Sequence, residues 1–106
     1  MSAKVLRRSY LRSGRLLLGR PKGLKAGAVR LTPGQVMDWH STRAREEVLI
    51  ALAGTVSVEV RRPARRLHRM TLRHGEYAFL PQQTVHRVVN RQVEIARYLY
   101  VTAPIR

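Results

Sequence analysis

From Ala28 onward, short apolar runs alternate with turn formers at intervals of roughly ten residues, the pattern of a β-sandwich or β-barrel. The punctuation is Pro33-Gly34, Gly54, the block Arg61–Arg66 with Pro63, then Gly75, Pro81 and Pro104. Thr55 to Val60 alternates strictly, with Val56, Val58 and Val60 on one face and Thr55, Ser57 and Glu59 on the other. That period of two predicts a half-buried strand. The stretch Val93 to Val101 alternates likewise and predicts a long final strand, with Glu94, Ala96, Tyr98 and Tyr100 sharing one face. Arg43 to Ala53 is rich in good helix formers. Its apolar run Val48–Leu52 nevertheless ends at Gly54, directly before a clear strand, and a strand–turn–strand hairpin accounts for both parts.

A chain of 106 residues with 44% hydrophobic composition fits one domain with one core. Residues 1–26 read as a basic arm with one or two short strands, and residues 27–106 as a single barrel domain. The apolar run Leu16-Leu17-Leu18 is far too short for a signal-peptide core or a membrane span. The chain contains no cysteine, which excludes disulfides, thiolate metal clusters and cysteine nucleophiles, and restricts any metal to nitrogen and oxygen ligands. A soluble, cytoplasmic protein is the expectation.

Twenty-one lysines and arginines against six acids give a formal charge of +15. A field of that sign attracts anions, either a phosphorylated or carboxylated small molecule or nucleic acid. The excess of arginine over lysine also fits genomic base-composition bias, in which case the charge only solubilises the protein. The N-terminal arginines are spaced along their segment rather than set on one helical face, so no DNA-reading helix is indicated. Nothing resembles a helix-turn-helix, an RNA-binding sheet motif or a zinc finger, and charge alone speaks for nucleic acid.

Chemistry concentrates in His40, Glu47 and His86. Two imidazoles and a carboxylate are donors that Fe(II), Mn(II), Zn(II) or Ni(II) accept, with open positions left for water or substrate. Inward positions of separate strands converge on one cavity in a barrel, which suits ligands scattered this widely along the chain. His68 and His74 read as surface residues, Trp39 as packing and Asn90 as a turn residue.

The spacing around the triad resembles a known family. Gly34, five residues, His40, one residue, Thr42, four residues, Glu47, six residues and Gly54 resemble the first cupin motif. Gly75, five residues, Pro81, one residue, Gln83, two residues, His86, three residues and Asn90 resemble the second. The resemblance implies an all-β, double-stranded β-helix or jelly-roll barrel holding a divalent metal on His40, Glu47 and His86. Two positions depart from it. Thr42 stands where the family has a second histidine ligand, and Gln83 where it has glycine. Thr42 and Gln83 are therefore placed at or near the site, with Tyr98 and Tyr100 as pocket walls if their strand face points inward.

Three readings follow. One is a metal-dependent enzyme acting on a small, anionic molecule by isomerase, epimerase or dioxygenase-like chemistry. Another is a non-catalytic ligand-binding or sensor protein with a degenerate metal site, and the remotest is a nucleic-acid-associated basic protein. No serine nucleophile elbow and no phosphate-binding glycine loop is present. A barrel this small has open edge strands and cannot cover the apolar pieces of its arm, so a homodimer is expected.

Overall fold

A computed structural model describes residues 5–17 and 21–105. Lys4, Leu18 and Arg20 of the basic arm lie outside the described residues. The described chain is all strand and turn: β1 Gly14–Arg15, β2 Lys25–Leu31, β3 Val36–Ser41, β4 Arg45–Ala53, β5 Thr55–Arg62, β6 Arg66–Arg73, β7 Tyr77–Leu80, β8 Val85–Val89 and β9 Ala96–Pro104. They form two antiparallel sheets, one in the order β1-β2-β9-β4-β7 and the other β3-β8-β5-β6. Consecutive strands repeatedly cross from one sheet to the other, which makes a jelly-roll, or double-stranded β-helix. Among the described residues no helix is long and apolar enough to cross a membrane.

Alternation decides which residues fill the space between the sheets. Val56, Val58 and Val60 of β5 face inward and pack with Leu49, Leu72 and Leu80 in the core. The helix-forming residues 45–53 are strand, because burial of Leu49 and Ala51 between two sheets outweighs a propensity difference of a few tenths of a kcal/mol per residue. Gly54 links β4 to β5 at φ +69°, and a Cβ there would meet the Ile95 carbonyl, so both conformation and space demand glycine.

The last strand begins later than its alternation predicts. Residues 91–95 form a turn with Val93 and Ile95 exposed, and β9 starts at Ala96. The cause is Asn90, which is fully buried. Its amide nitrogen donates to the Leu31 and Glu94 carbonyls, while its side-chain oxygen accepts from the Gln92 N–H. From Ala96 onward the expected alternation holds, with Ala96 and Tyr98 inside.

Candidate metal centre

His40 and His86 are direct cross-strand partners on β3 and β8. A one-residue bulge between Met37 and His40 brings them opposite: three steps along β3 match two along β8, from Val88 to His86. The same bulge turns Trp39 to the outer face, where it is half-buried and Arg61 and Arg87 lie over its ring at 4.4 and 4.8 Å, so its packing is against arginines outside the core. Glu47 comes from β4 in the facing sheet. One donor atom from each of His40, Glu47 and His86 falls within 4.8 Å of the others, and the two imidazole centroids are 4.3 Å apart.

Hydrogen bonding fixes how the rings present themselves. His40 Nδ1 lies 2.8 Å from the Asp38 carbonyl and His86 Nδ1 3.1 Å from the Thr84 carbonyl. A carbonyl can only accept, so each Nδ1 carries the proton and each Nε2 is left as a lone pair. His86 Nε2 is buried without a hydrogen-bond partner, 3.9 Å from a Glu47 carboxylate oxygen. An orphaned, buried lone pair beside a carboxylate is what a divalent ion would satisfy, so this donor set fits a metal. Burial pushes the His86 pKa down, the Thr84 carbonyl opposes that, and His40 adds to the lowering. Burial raises the Glu47 pKa, with His40 opposing. Neutral imidazole is the form that coordinates.

The three donors open on a cavity of about 540 Å³ between the sheets. Leu49, Met37 and Val88 supply apolar wall, and Tyr98 and Tyr100 line it too. Burial, then Glu47 and Tyr100, push the Tyr98 hydroxyl pKa upward, so it stays protonated and able to donate. Gly27 of β2 pairs with Tyr100, and any Cβ there would overlap the tyrosine ring. Glycine on β2 therefore lets Tyr100 lie against the strand.

Thr42 lines the cavity, but its hydroxyl donates to the Pro81 carbonyl and accepts the Thr84 N–H at 3.0 Å. It ties the end of β3 to the turn before β8. Gln83 is not brought to the cavity; it is exposed in that turn at φ +57°, a backbone conformation that glycine adopts without strain. His68 and His74 are exposed. Sequence reasoning missed Lys25, Arg45, Arg15 and Asp38, which also line the cavity. The alternation that places Glu47 and Leu49 inward includes Arg45, so that residue was legible. Lys25 was not, because its position depends on its pairing with Thr102 across the sheet.

A jelly-roll with two histidines and a carboxylate gathered between its sheets defines a class of small β-barrel whose interior donors could hold a metal ion. The cupin domain model matches residues 27–102, and the chain belongs to the cupin family. Among solved structures, it is similar to the TT1209 protein of Thermus thermophilus at 27% identity and TM-score 0.73, covering 93% of this chain and 90% of that one. The Schizosaccharomyces pombe Cnp3 cupin domain is similar at 19% identity and TM-score 0.72, covering 88% of this chain and 60% of that one. Recombinant oxalate oxidase in complex with glycolate is similar at 19% identity and TM-score 0.71. This chain covers 42% of that oxalate oxidase chain, with 77% of its own length aligned. No curated protein matches.

Proposed function

We propose that this cupin binds a divalent metal through His40 Nε2, His86 Nε2 and the Glu47 carboxylate, and through it a small anionic molecule. The observation that carries the reading is the buried, partnerless His86 Nε2 beside Glu47. Fe(II), Mn(II), Zn(II) and Ni(II) all suit this donor set, and such an ion supplies Lewis-acid polarisation of a bound oxygen. The chain's own residues do the rest. Lys25, Arg45 and Arg15 bias the cavity toward a carboxylate or phosphate. Met37, Leu49 and Val88 give the cavity an apolar wall, and the Tyr98 and Tyr100 hydroxyls are available to orient a ligand oxygen. Isomerase, epimerase or dioxygenase-like chemistry is compatible with these parts.

Calorimetric titration of metal-stripped protein with Ni(II) or Zn(II) tests it: one ion should bind per chain, and His86→Ala should abolish binding. Equal binding by His86→Ala overturns the ligand assignment. A second reading, a non-catalytic ligand pocket without metal, is favoured by Thr42, whose hydroxyl is spent on main-chain hydrogen bonds where the family has a fourth ligand.

The functional unit is read as a homodimer of barrels, residues 27–106, each preceded by a basic arm, in the cytoplasm, where a chain without cysteine has nothing to lose to reduction. Support for the dimer comes from the outer face of the five-stranded sheet. Pairing lines up Tyr77, Ile50 and Leu99 in one row and Phe79, Val48 and Val101 in the next. Tyr77 is 72% and Phe79 53% exposed. Contiguous apolar surface of this kind on a sheet marks an interaction face.

A further inference from the structure

We propose that the outer face of the four-stranded sheet is a binding surface for single-stranded nucleic acid, separate from the cavity. Glu59 stands at its centre and is completely buried, although its side chain points away from the core. Three arginines cover it: Arg69 Nε at 2.8 Å, Arg87 Nε at 2.6 Å and Arg91 Nη2 at 2.7 Å from the carboxylate oxygens. A buried ion group of this kind stabilises a fold no better than packed apolar residues would. What it does achieve is orientation. Arg69 and Arg87 are anchored through Nε, and among the described residues their Nη groups make no hydrogen bond, while Arg69 is 57% and Arg91 46% exposed. One carboxylate is neutralised and two positive charges remain over it.

Trp39 extends this array. Arg87 reaches both Glu59 and the Trp39 ring, and Arg61 lies over the same ring. Guanidiniums held over an aromatic ring form a cationic, π-bearing surface of the kind that unpaired bases stack on, while their N–H groups meet phosphates. The β5–β6 hairpin, Thr55–Arg73, continues the charge with Arg62, Arg65 and Arg66 at its tip, and Glu59 is its only acid. A large share of the chain's positive charge thus gathers around this sheet, beside its one tryptophan. A base-paired duplex hides the π-faces that such planar groups would use, which favours a single strand.

Trp39 is the sole tryptophan and reports its own surroundings. Titrating the full chain with a fifteen-nucleotide oligo(dT) or oligo(U) should quench its fluorescence saturably. Four guanidiniums on phosphates predict about fifty-fold weaker binding at 200 mM than at 50 mM salt. The triple substitution Arg61→Ser, Arg65→Ser, Arg66→Ser leaves the Glu59 cluster intact and should weaken binding more than ten-fold. Arg7→Ser, Arg8→Ser, Arg12→Ser removes the same charge from the arm and should change it less than three-fold. His86→Ala should bind the oligonucleotide like the parent, which keeps this surface distinct from the metal reading. Equal loss in the two triple variants overturns the proposal in favour of a diffuse field. Equal affinity for a duplex of the same length overturns it too, as does a larger Trp39 response to phosphatidylserine vesicles than to either oligonucleotide.

Discussion

Leaving a buried polar atom unpaired is unfavourable by about 1–3 kcal/mol, and His86 Nε2 is left so at the wall of the cavity. Thr42 is its counterpart, a residue at a ligand position whose hydrogen-bonding capacity is spent on the Pro81 carbonyl and the Thr84 N–H. Thr42→His removes both hydrogen bonds and adds an imidazole at the cavity wall. Without metal, the variant should be less stable than the parent by about 1–3 kcal/mol. With Ni(II) in excess its melting temperature should rise further than the parent's, because binding to the folded state alone stabilises it by mass action. Thermal melts with and without the ion read both effects. A shift in the variant with none in the parent would move the assignment to the non-catalytic pocket.

Two buried polar side chains join elements that the hydrophobic pattern alone leaves loosely specified. Asn90 binds the end of β2 to the turn before β9, and Asn90→Ala should lower stability by about 2–4 kcal/mol, as urea unfolding would report. Glu59 ties β5 to β6 and β8. Burial alone would raise its pKa, but hydrogen bonds from Arg91 and Arg87, with their charges, bring it down to about 2 from an ordinary 4.5. A folded-state pKa below the unfolded one contributes stability above the unfolded value, and that contribution is lost as pH falls from about 4.5 toward 2. Because its partners are partly exposed, the contribution is about 1–3 kcal/mol. Glu59→Gln should therefore be less stable than the parent at pH 7, with the gap closing by pH 2 in denaturant titrations.

At the scale of the molecule, two sheet faces carry unlike surfaces. One shows the apolar rows headed by Tyr77 and Phe79, the other the arginines around Glu59 and Trp39. An isologous dimer through the apolar face would leave the basic face of each copy outward. Tyr77→Lys with Phe79→Glu should shift light-scattering mass from two chains to one without unfolding the barrel, since both side chains are exposed. A parent that is already monomeric at micromolar concentration removes the dimer reading.

The class of fold was legible in one dimension, because a period of two with glycine or proline punctuation leaves a strand-rich chain few alternatives. So were His40, Glu47 and His86, whose spacing from Gly34, Gly54 and Gly75 needs no coordinates to read. Where each neighbour points had to await the folded chain. The bulge that sets His40 opposite His86, the turn that delays β9, and the cross-strand partners that bring Lys25 to the cavity are relations between distant segments. Gln83 shows the limit most simply: a motif position three residues from His86 in sequence sits exposed in a turn at positive φ, outside the cavity. Alternation says which residues share a face of one strand, and only pairing between strands says what that face meets.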